Sequence, residues 1–261
     1  MIFPVGDDQV QGGAKPIFSY TFLVLNVLFF FFQLSQPGAL ICEFGAIPNE
    51  IVNGQDYLTL FTSMFMHGGW MHLIGNMLFL WVFADNIEAT IGNINFLVFY
   101  LLGGLAAHFA HIYFNTGLEL IDCCQPCNVS GFHCTEGVRA CPGAIPTVGA
   151  SGAISAVLGA YLVMFPKSKV KVLVVYFFST FRVAAIWFLG FWIIQQLVSG
   201  FAALGPETAA TDGVAWWAHI GGFIFGVIAG FIARSSAKGS LVSTSKSSKR
   251  KPPTYRSDDF V

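Results

Sequence analysis

Charge is what this sequence has least of. Only 10% of its 261 residues are Asp, Glu, Lys or Arg, against 55% hydrophobic. A soluble domain carries about a quarter charged residues, so this composition excludes the ordinary soluble class and places the chain in a bilayer. A surplus of either sign is missing as well. The 13 Lys and Arg stand against 14 Asp and Glu, for a formal net charge of −1, which leaves no basic footprint for nucleic acid. Internal repeats are not apparent and acids inside the apolar runs are scarce, which argues against a transporter built on paired broken helices or a proton relay. The first residues, MIFPVGDDQVQGGAKP, hold two acids and one base with no small-residue cleavage site after them, so this segment is expected to stay attached rather than act as a removable targeting peptide.

Apolar runs are abundant. A hydrocarbon core about 30 Å thick needs about 20 mostly apolar residues per helix, and six runs are read as spans: Pro16–Leu34, Met71–Ala84, Ile94–Phe114, Val148–Phe165, a fifth within Val170–Val198, and Trp216–Ala233. The Val170–Val198 stretch is too long for one upright span and Arg182 divides it, so Val170–Phe181 is read as an interfacial or tilted lead-in. The fold class expected is all-α: a polytopic six-helix membrane domain over residues 17–234, preceded by a cytoplasmic segment 1–16 and followed by a disordered basic tail 235–261. With six spans, every Lys and Arg except Arg139 falls on one face, which the positive-inside rule makes cytoplasmic. Both termini are then inside, in the cell (inner) membrane. The tail's KSSKRK run reads as a topology anchor, with contact to anionic membrane lipid as the alternative.

Strongly polar side chains inside spans are costly and mark functional sites by default. His72 and Asn76 lie four apart in the second run and so share a helix face; as a pair they are read either as an interhelical tie or as part of a catalytic site. Ser151 opens the fourth run and His219 the sixth. Alternation of direction makes the fourth and sixth spans parallel and the second span inward-running, so all four residues are expected at one depth near the outer surface. Gly222, Gly226 and Gly230 in the sixth run face a fourth run rich in Gly152, Ser155, Ala156, Gly159 and Ala160, small residues that let backbones approach. A histidine near a serine can take its proton and return it to a leaving amine. An acid one turn from His219 is missing, Asp212 being the nearest, so a Ser151–His219 dyad is expected. Donors of a suitable kind for an oxyanion are the His72 imidazole, the Asn76 amide and the Ser151 backbone N–H. The pattern needs no cofactor, and no metal is expected at this site.

Gly149-Ala150-Ser151-Gly152, Ala218-His219-Ile220-Gly221-Gly222 and His72-Leu73-Ile74-Gly75-Asn76, in this order, resemble the rhomboid family of intramembrane serine proteases, from about Ser19 to Arg234. The resemblance implies hydrolysis of peptide bonds in or beside the membrane, on single-pass transmembrane protein substrates that enter between the second and fifth spans. It also implies structural roles for His67, bracing the first outer loop, and for Glu88. Two departures stand out. Many relatives carry a tyrosine four residues after the nucleophile that supports the histidine, where this chain has Ser155; support is then expected from Trp216 or Ser155. A basic residue often follows the Glu88 position, where Ala89 and Thr90 stand here. The alternative function is a noncatalytic rhomboid-like protein that binds or escorts membrane proteins.

The third and fourth runs are separated by Asn115–Pro146, well beyond an ordinary connection. It holds Cys123, Cys124, Cys127, Cys134 and Cys141, which with Cys42 of the first loop are expected on the outer side. Disulfides are favoured there, with zinc at Cys124, Cys127, His133 and Cys134 as the alternative. Because this loop leads straight to Ser151, it is expected to shape the mouth of the site.

Overall fold

In a bilayer the backbone must satisfy its own hydrogen bonds, so apolar runs close into helices. In the computed structural model, which describes residues 2–10, 13–116, 126–128, 131–132, 141–204 and 214–243, the six runs become α1 (Ile17–Gln33), α5 (Trp70–Ile91), α6 (Asn93–Asn115), α7 (Ser151–Met164), α8 (Ala185–Ala202) and α9 (Trp216–Ser243). Three short helices, α2 (Pro37–Phe44), α3 (Pro48–Val52) and α4 (Thr59–Thr62), fold the connection between α1 and α5. By length and apolarity, α6, α8 and Trp216–Ser235 of α9 are each able to cross a membrane, and α1 and α7 are shorter apolar helices. Trp187, Phe191, Ile194, Val198 and Phe201 of α8 recur every three or four residues and are each more than half exposed. Such a stripe is at home against acyl chains, not water.

The centre of the bundle is α7, buried continuously from Gly152 to Tyr161. It packs on α9 in parallel, as the contact register shows: Gly222 lies against Gly152, Gly226 against Ala156 and Gly230 against Ala160, a constant offset along both helices. A Cβ at Gly226 would collide with the Ala156 carbonyl, so this seam exists only because α9 has no side chain there. On its other side α7 meets α6 in the antiparallel sense, Gly152 against Ala107 and Ala156 against Gly103.

A small sheet extends the all-α reading. The stretch expected as a lead-in to the fifth span is a hairpin of β4 (Lys169–Val174) and β5 (Ser179–Ala184), and β1 (Ile2–Gly6) adds antiparallel to β4. Lys169 and Lys171 are exposed while Val170 and Val172 are buried, the period-2 alternation of a half-buried strand. Val170 and Val172 join the hydrophobic core with Ala185 and Leu189, so the sheet closes one end of the bundle. The segment after β1 is tied in by side chains. Tyr161 Oη donates to Asp7 Oδ2 (2.5 Å), Asn86 Nδ2 donates to the same oxygen (2.7 Å), and Lys169 N–H donates to Asp8 Oδ2 (2.8 Å).

The second run also extends past Ala84, because its polar end is satisfied. Glu88 is wholly buried and its carboxylate accepts the N–H groups of Phe18 and Ser19 (2.8 and 2.7 Å), the Ser19 hydroxyl (2.6 Å) and the Asn93 amide (3.0 Å). It thus caps α1 from another helix, a carboxylate at the positive end of the helix dipole. The donors around Glu88 explain how it is held without a basic residue at Ala89 or Thr90.

Burial pushes the Asp7 carboxyl from 3.8 up to about 8, against the lowering effect of the Tyr161 and Asn86 hydrogen bonds, with Asp85 adding to the rise. A carboxyl raised on folding stabilises most in acid and loses that contribution as pH climbs from the unfolded value to the folded one. Docking of the N-terminal strand is therefore expected to weaken between about pH 4 and pH 8 and then level off. Amide exchange across Ile2–Gly6, corrected for intrinsic rates, should show this slope in the wild type, and Asp7→Asn should flatten it.

Candidate functional site

The N-terminal ends of α5, α7 and α9 meet at the end of the bundle away from the sheet and wall a cavity of about 890 Å³. His72 and Asn76 line it from α5, Ser151 and Ser155 from α7, Trp192 from α8, and Trp216 and His219 from α9. The four polar residues singled out in the sequence are thereby brought to one chamber. Among the described residues no hydrogen bond joins Ser151 Oγ to His219. Their neighbours set the spacing: a Cβ on Gly152 would sit 4.0 Å from the Ala218 Cβ. The cavity extends between α5, through Met71, Gly75 and Phe79, and α8, through Trp192, Ser199 and Ala202.

Ser151 is the first residue of α7, so its N–H is one of the helix's free amides and points out of the N-terminus. The chain reaches it through Gly149, whose φ of +118° lies where side chains are strained. The close approach is the second reason for glycine here. A Cβ would stand 2.7 Å from Nε2 of His72 and 3.4 Å from Nδ2 of Asn76. The approach is pinned twice before Ser151: Ala46 and Thr147 exchange backbone hydrogen bonds (3.0 and 2.8 Å), and Gly149 N–H donates to the Ser63 carbonyl (2.8 Å).

Of the three imidazoles that line the cavity, His72, His111 and His219, the first and last are held in opposite tautomers. Gly68 N–H donates to Nδ1 of His72 (3.2 Å), so a neutral His72 carries its proton on Nε2 and is a donor toward Gly149. Beside it, Nδ2 of Asn76 is buried and has no hydrogen-bond partner; an unmet buried donor is costly and marks a place where an acceptor belongs. His219 is reversed. Its Nδ1 lies 2.8 Å from Oε1 of Gln196 on α8, while Nε2 of that amide donates to the Trp192 carbonyl (3.2 Å). With the Gln196 nitrogen so engaged, its oxygen accepts from Nδ1–H, and Nε2 of His219 keeps a lone pair.

Other expected site residues fall as follows. Ser155 Oγ donates to the Ser151 carbonyl (2.7 Å) and so does not support His219. Trp216 meets the His219 ring edge-on at 6.2 Å, and Trp192 lies tilted at 5.8 Å. The residue missed was Gln196. Its signal was a polar side chain in an apolar span, in phase with buried Leu189 and Gly200. His67 is wholly buried; its backbone N–H and C=O are both held by the Gln33 amide (2.9 and 2.5 Å), which ties the chain before α5 to the end of α1. Gly222 and Gly226 form the α7–α9 seam described above.

In the cysteine-rich loop, β2 (Cys127–Asn128) pairs with β3 (Gly131–Phe132), and Cys127 forms a disulfide with Cys42. Cys141 is disulfide-bonded as well. A sulfur in a disulfide has no thiolate for a metal, so Cys127 is not a zinc ligand here. Cys123, Cys124, His133 and Cys134 lie outside the described residues. The end of the loop, from Ile145 to Val148, lines the cavity.

An apolar helical bundle with a polar chamber at one end defines a polytopic membrane protein with an internal site. A Rhomboid domain profile matches residues 54–236, and the chain belongs to the rhomboid family. It is 29% identical to the rhomboid protease GluP of Bacillus subtilis over 153 residues, which is 57% of this chain and 25% of that protein. It is 27% identical over 170 residues to the mitochondrial presenilin-associated rhomboid-like protein A of Danio rerio, covering 65% of this chain and 36% of that one. The mitochondrial Rhomboid protein 1 of Saccharomyces cerevisiae is 26% identical over 218 residues, 81% of this chain and 52% of the yeast protein. The chain thus spans from a quarter to about half the length of these curated relatives.

The crowding at Gly149 can be measured. Gly149→Ala is expected to cost roughly 1–3 kcal/mol through backbone strain alone, with more from the His72 ring. Gly75→Ala, at a position on α5 where a Cβ meets nothing within 4 Å, should leave the unfolding midpoint unchanged or raise it. Thermal unfolding of both variants in one detergent checks the contrast.

Proposed function

We propose that this chain is an intramembrane serine endopeptidase that hydrolyses peptide bonds in or near the transmembrane segments of membrane proteins, with Ser151 as nucleophile and His219 as general base. The observation that carries this reading is the pairing of opposite imidazole states around the serine. His72 offers Nε2–H and Asn76 an unmet N–H beside the Gly149–Ser151 turn, while His219 offers a lone pair at Nε2. The first two suit a developing oxyanion and the third suits a proton.

In the reaction so read, Oγ of Ser151 attacks the scissile carbonyl carbon as its proton passes to Nε2 of His219. The carbonyl oxygen becomes an oxyanion facing His72, Asn76 and the Ser151 N–H. The C–N bond then breaks, the leaving amine takes the proton from Nε2, and an acyl-serine remains. Water gives its proton to the same nitrogen as its oxygen attacks the acyl carbon; the bond to Oγ then breaks, Oγ takes that proton back from Nε2, and the acid leaves. Transmembrane substrates are favoured because the chamber opens between α5 and α8, whose outer faces are apolar. Residues 17–234 form the membrane domain of this proposal, with 1–16 and the basic tail 235–261 on the cytoplasmic side of a cell membrane.

Purified protein in liposomes with a single-pass reporter provides the test. Wild type is expected to cleave it, Ser151→Ala and His219→Ala to lose at least about 10³-fold in rate, and a fluorophosphonate probe to label Ser151 in the wild type alone. Cleavage that survives both substitutions would sink the dyad. Reporter capture without cleavage or labelling would favour the noncatalytic escort reading.

A further inference from the structure

Behind the cavity wall a residue of α8 contacts the proposed base, and its chemistry decides which nitrogen of that base is free. Gln196 is 4% exposed, deep in a helix whose other buried positions are Ala185, Leu189 and Gly200. A primary amide in an apolar span is expensive unless both its ends are used. Here they are: Nε2 donates back to the Trp192 carbonyl one turn earlier, and Oε1 lies 2.8 Å from Nδ1 of His219. The two bonds are not interchangeable. Rotating the amide by half a turn would face its NH₂ at Nδ1 of His219 and set its carbonyl oxygen against the Trp192 carbonyl, two acceptors in contact.

We infer that Gln196 is the positioning residue of the Ser151–His219 dyad: its carbonyl oxygen accepts Nδ1–H, holding His219 in the tautomer and orientation that leave Nε2 free to accept a proton. This inference rests on the protease reading for its catalytic consequence, though not for its structural content. Three further observations agree. His219 has no acid within a helical turn. Ser155, which stands where a supporting tyrosine is common among relatives, is turned to the Ser151 carbonyl instead. The rings beside His219, Trp192 and Trp216, sit at 5.8 and 6.2 Å; they confine the imidazole without selecting a tautomer, since neither contact is a hydrogen bond.

A neutral acceptor does less than a carboxylate in this position. It orients the ring and stabilises the imidazolium through one oriented dipole, without adding a charge to the membrane interior. Loss of the acceptor is therefore expected to act on turnover rather than on substrate binding.

The experiment uses full-length protein labelled with 15N-histidine, in detergent or nanodiscs, with the His219 signals identified by their loss in His219→Ala. In the wild type Nδ1 of His219 should give a protonated, pyrrole-type shift and Nε2 a pyridine-type shift. In Gln196→Leu the signals should move toward the opposite tautomer or an average of the two. In parallel, kcat on the reporter should fall at least about tenfold, short of the roughly 10⁴-fold seen when a triad carboxylate is replaced, with KM changed less than about threefold. Gln196→Glu, which keeps an acceptor oxygen, should restore the wild-type tautomer and most of the turnover. A wild-type spectrum with the proton on Nε2 overturns the inference whatever the activity. So does a Gln196→Leu protein with wild-type shifts and wild-type kcat. If the wild type neither cleaves nor labels but Gln196→Leu still shifts the tautomer, the protease reading falls and the Gln196–His219 assignment stands; if Gln196→Leu does not fold, the wild-type shifts and the Gln196→Glu protein decide.

Discussion

The contact on which everything else depends is the backbone seam between α7 and α9. Between membrane helices apolar burial gives little drive, because lipid is as apolar as the protein, and association rests on close van der Waals approach. Gly222, Gly226 and Gly230 of α9 lie directly on Gly152, Ala156 and Ala160 of α7. That seam holds the two helices parallel and in one register, so the first turn of each ends at the same level. Ser151 and His219 are both in those first turns. Their encounter in one cavity follows from the glycines rather than from any bond between the two side chains themselves.

Around the seam, polar groups are satisfied by segments that come from far away in the chain. Glu88 of α5 caps α1, Gln33 of α1 holds the His67 backbone, and Asn86 and Tyr161 fix Asp7. Each tie joins a helix to another helix or to a segment just outside one, so the bundle gains definition where packing alone would allow sliding. Several buried polar atoms have no partner among the described residues, and Asn76 Nδ2 is the one that lies beside Gly149 at the approach to Ser151. The family assignment agrees with that arrangement, and the catalytic roles remain those of the proposal.

Much of this was legible in the sequence. Apolar runs marked where α1, α5, α6, α7, α8 and α9 form, three of which are long and apolar enough to cross a membrane, and His72, Asn76, Ser151 and His219 stood out because lipid-facing positions would not hold them. The parallel sense of α7 and α9 followed from alternation of direction, and their close approach from the glycine spacing. What was not legible came from contacts between distant segments. The IFPVG of β1 has no pattern of its own and becomes a strand only beside Leu173 and Val174. The KVKVLV of β4 did carry an alternation, hidden by the apolar run that follows it. Gln196 has a polar neighbour, Gln195, and only the rotation of α8 decides which of the two meets His219. The Cys42–Cys127 pairing joins residues 85 apart in sequence, and spacing does not choose among several cysteines.

The paired backbone bonds of Ala46 with Thr147, and of Gly149 with Ser63, lie between the long cysteine-bearing connection and the serine. They act as a mechanical decoupler. Thr147 and Gly149 are fastened to Ala46 and Ser63, so the last few residues before α7 are held by the first loop rather than by the connection upstream of them. A fold so arranged can lengthen or rebuild that connection without retuning the geometry beyond it.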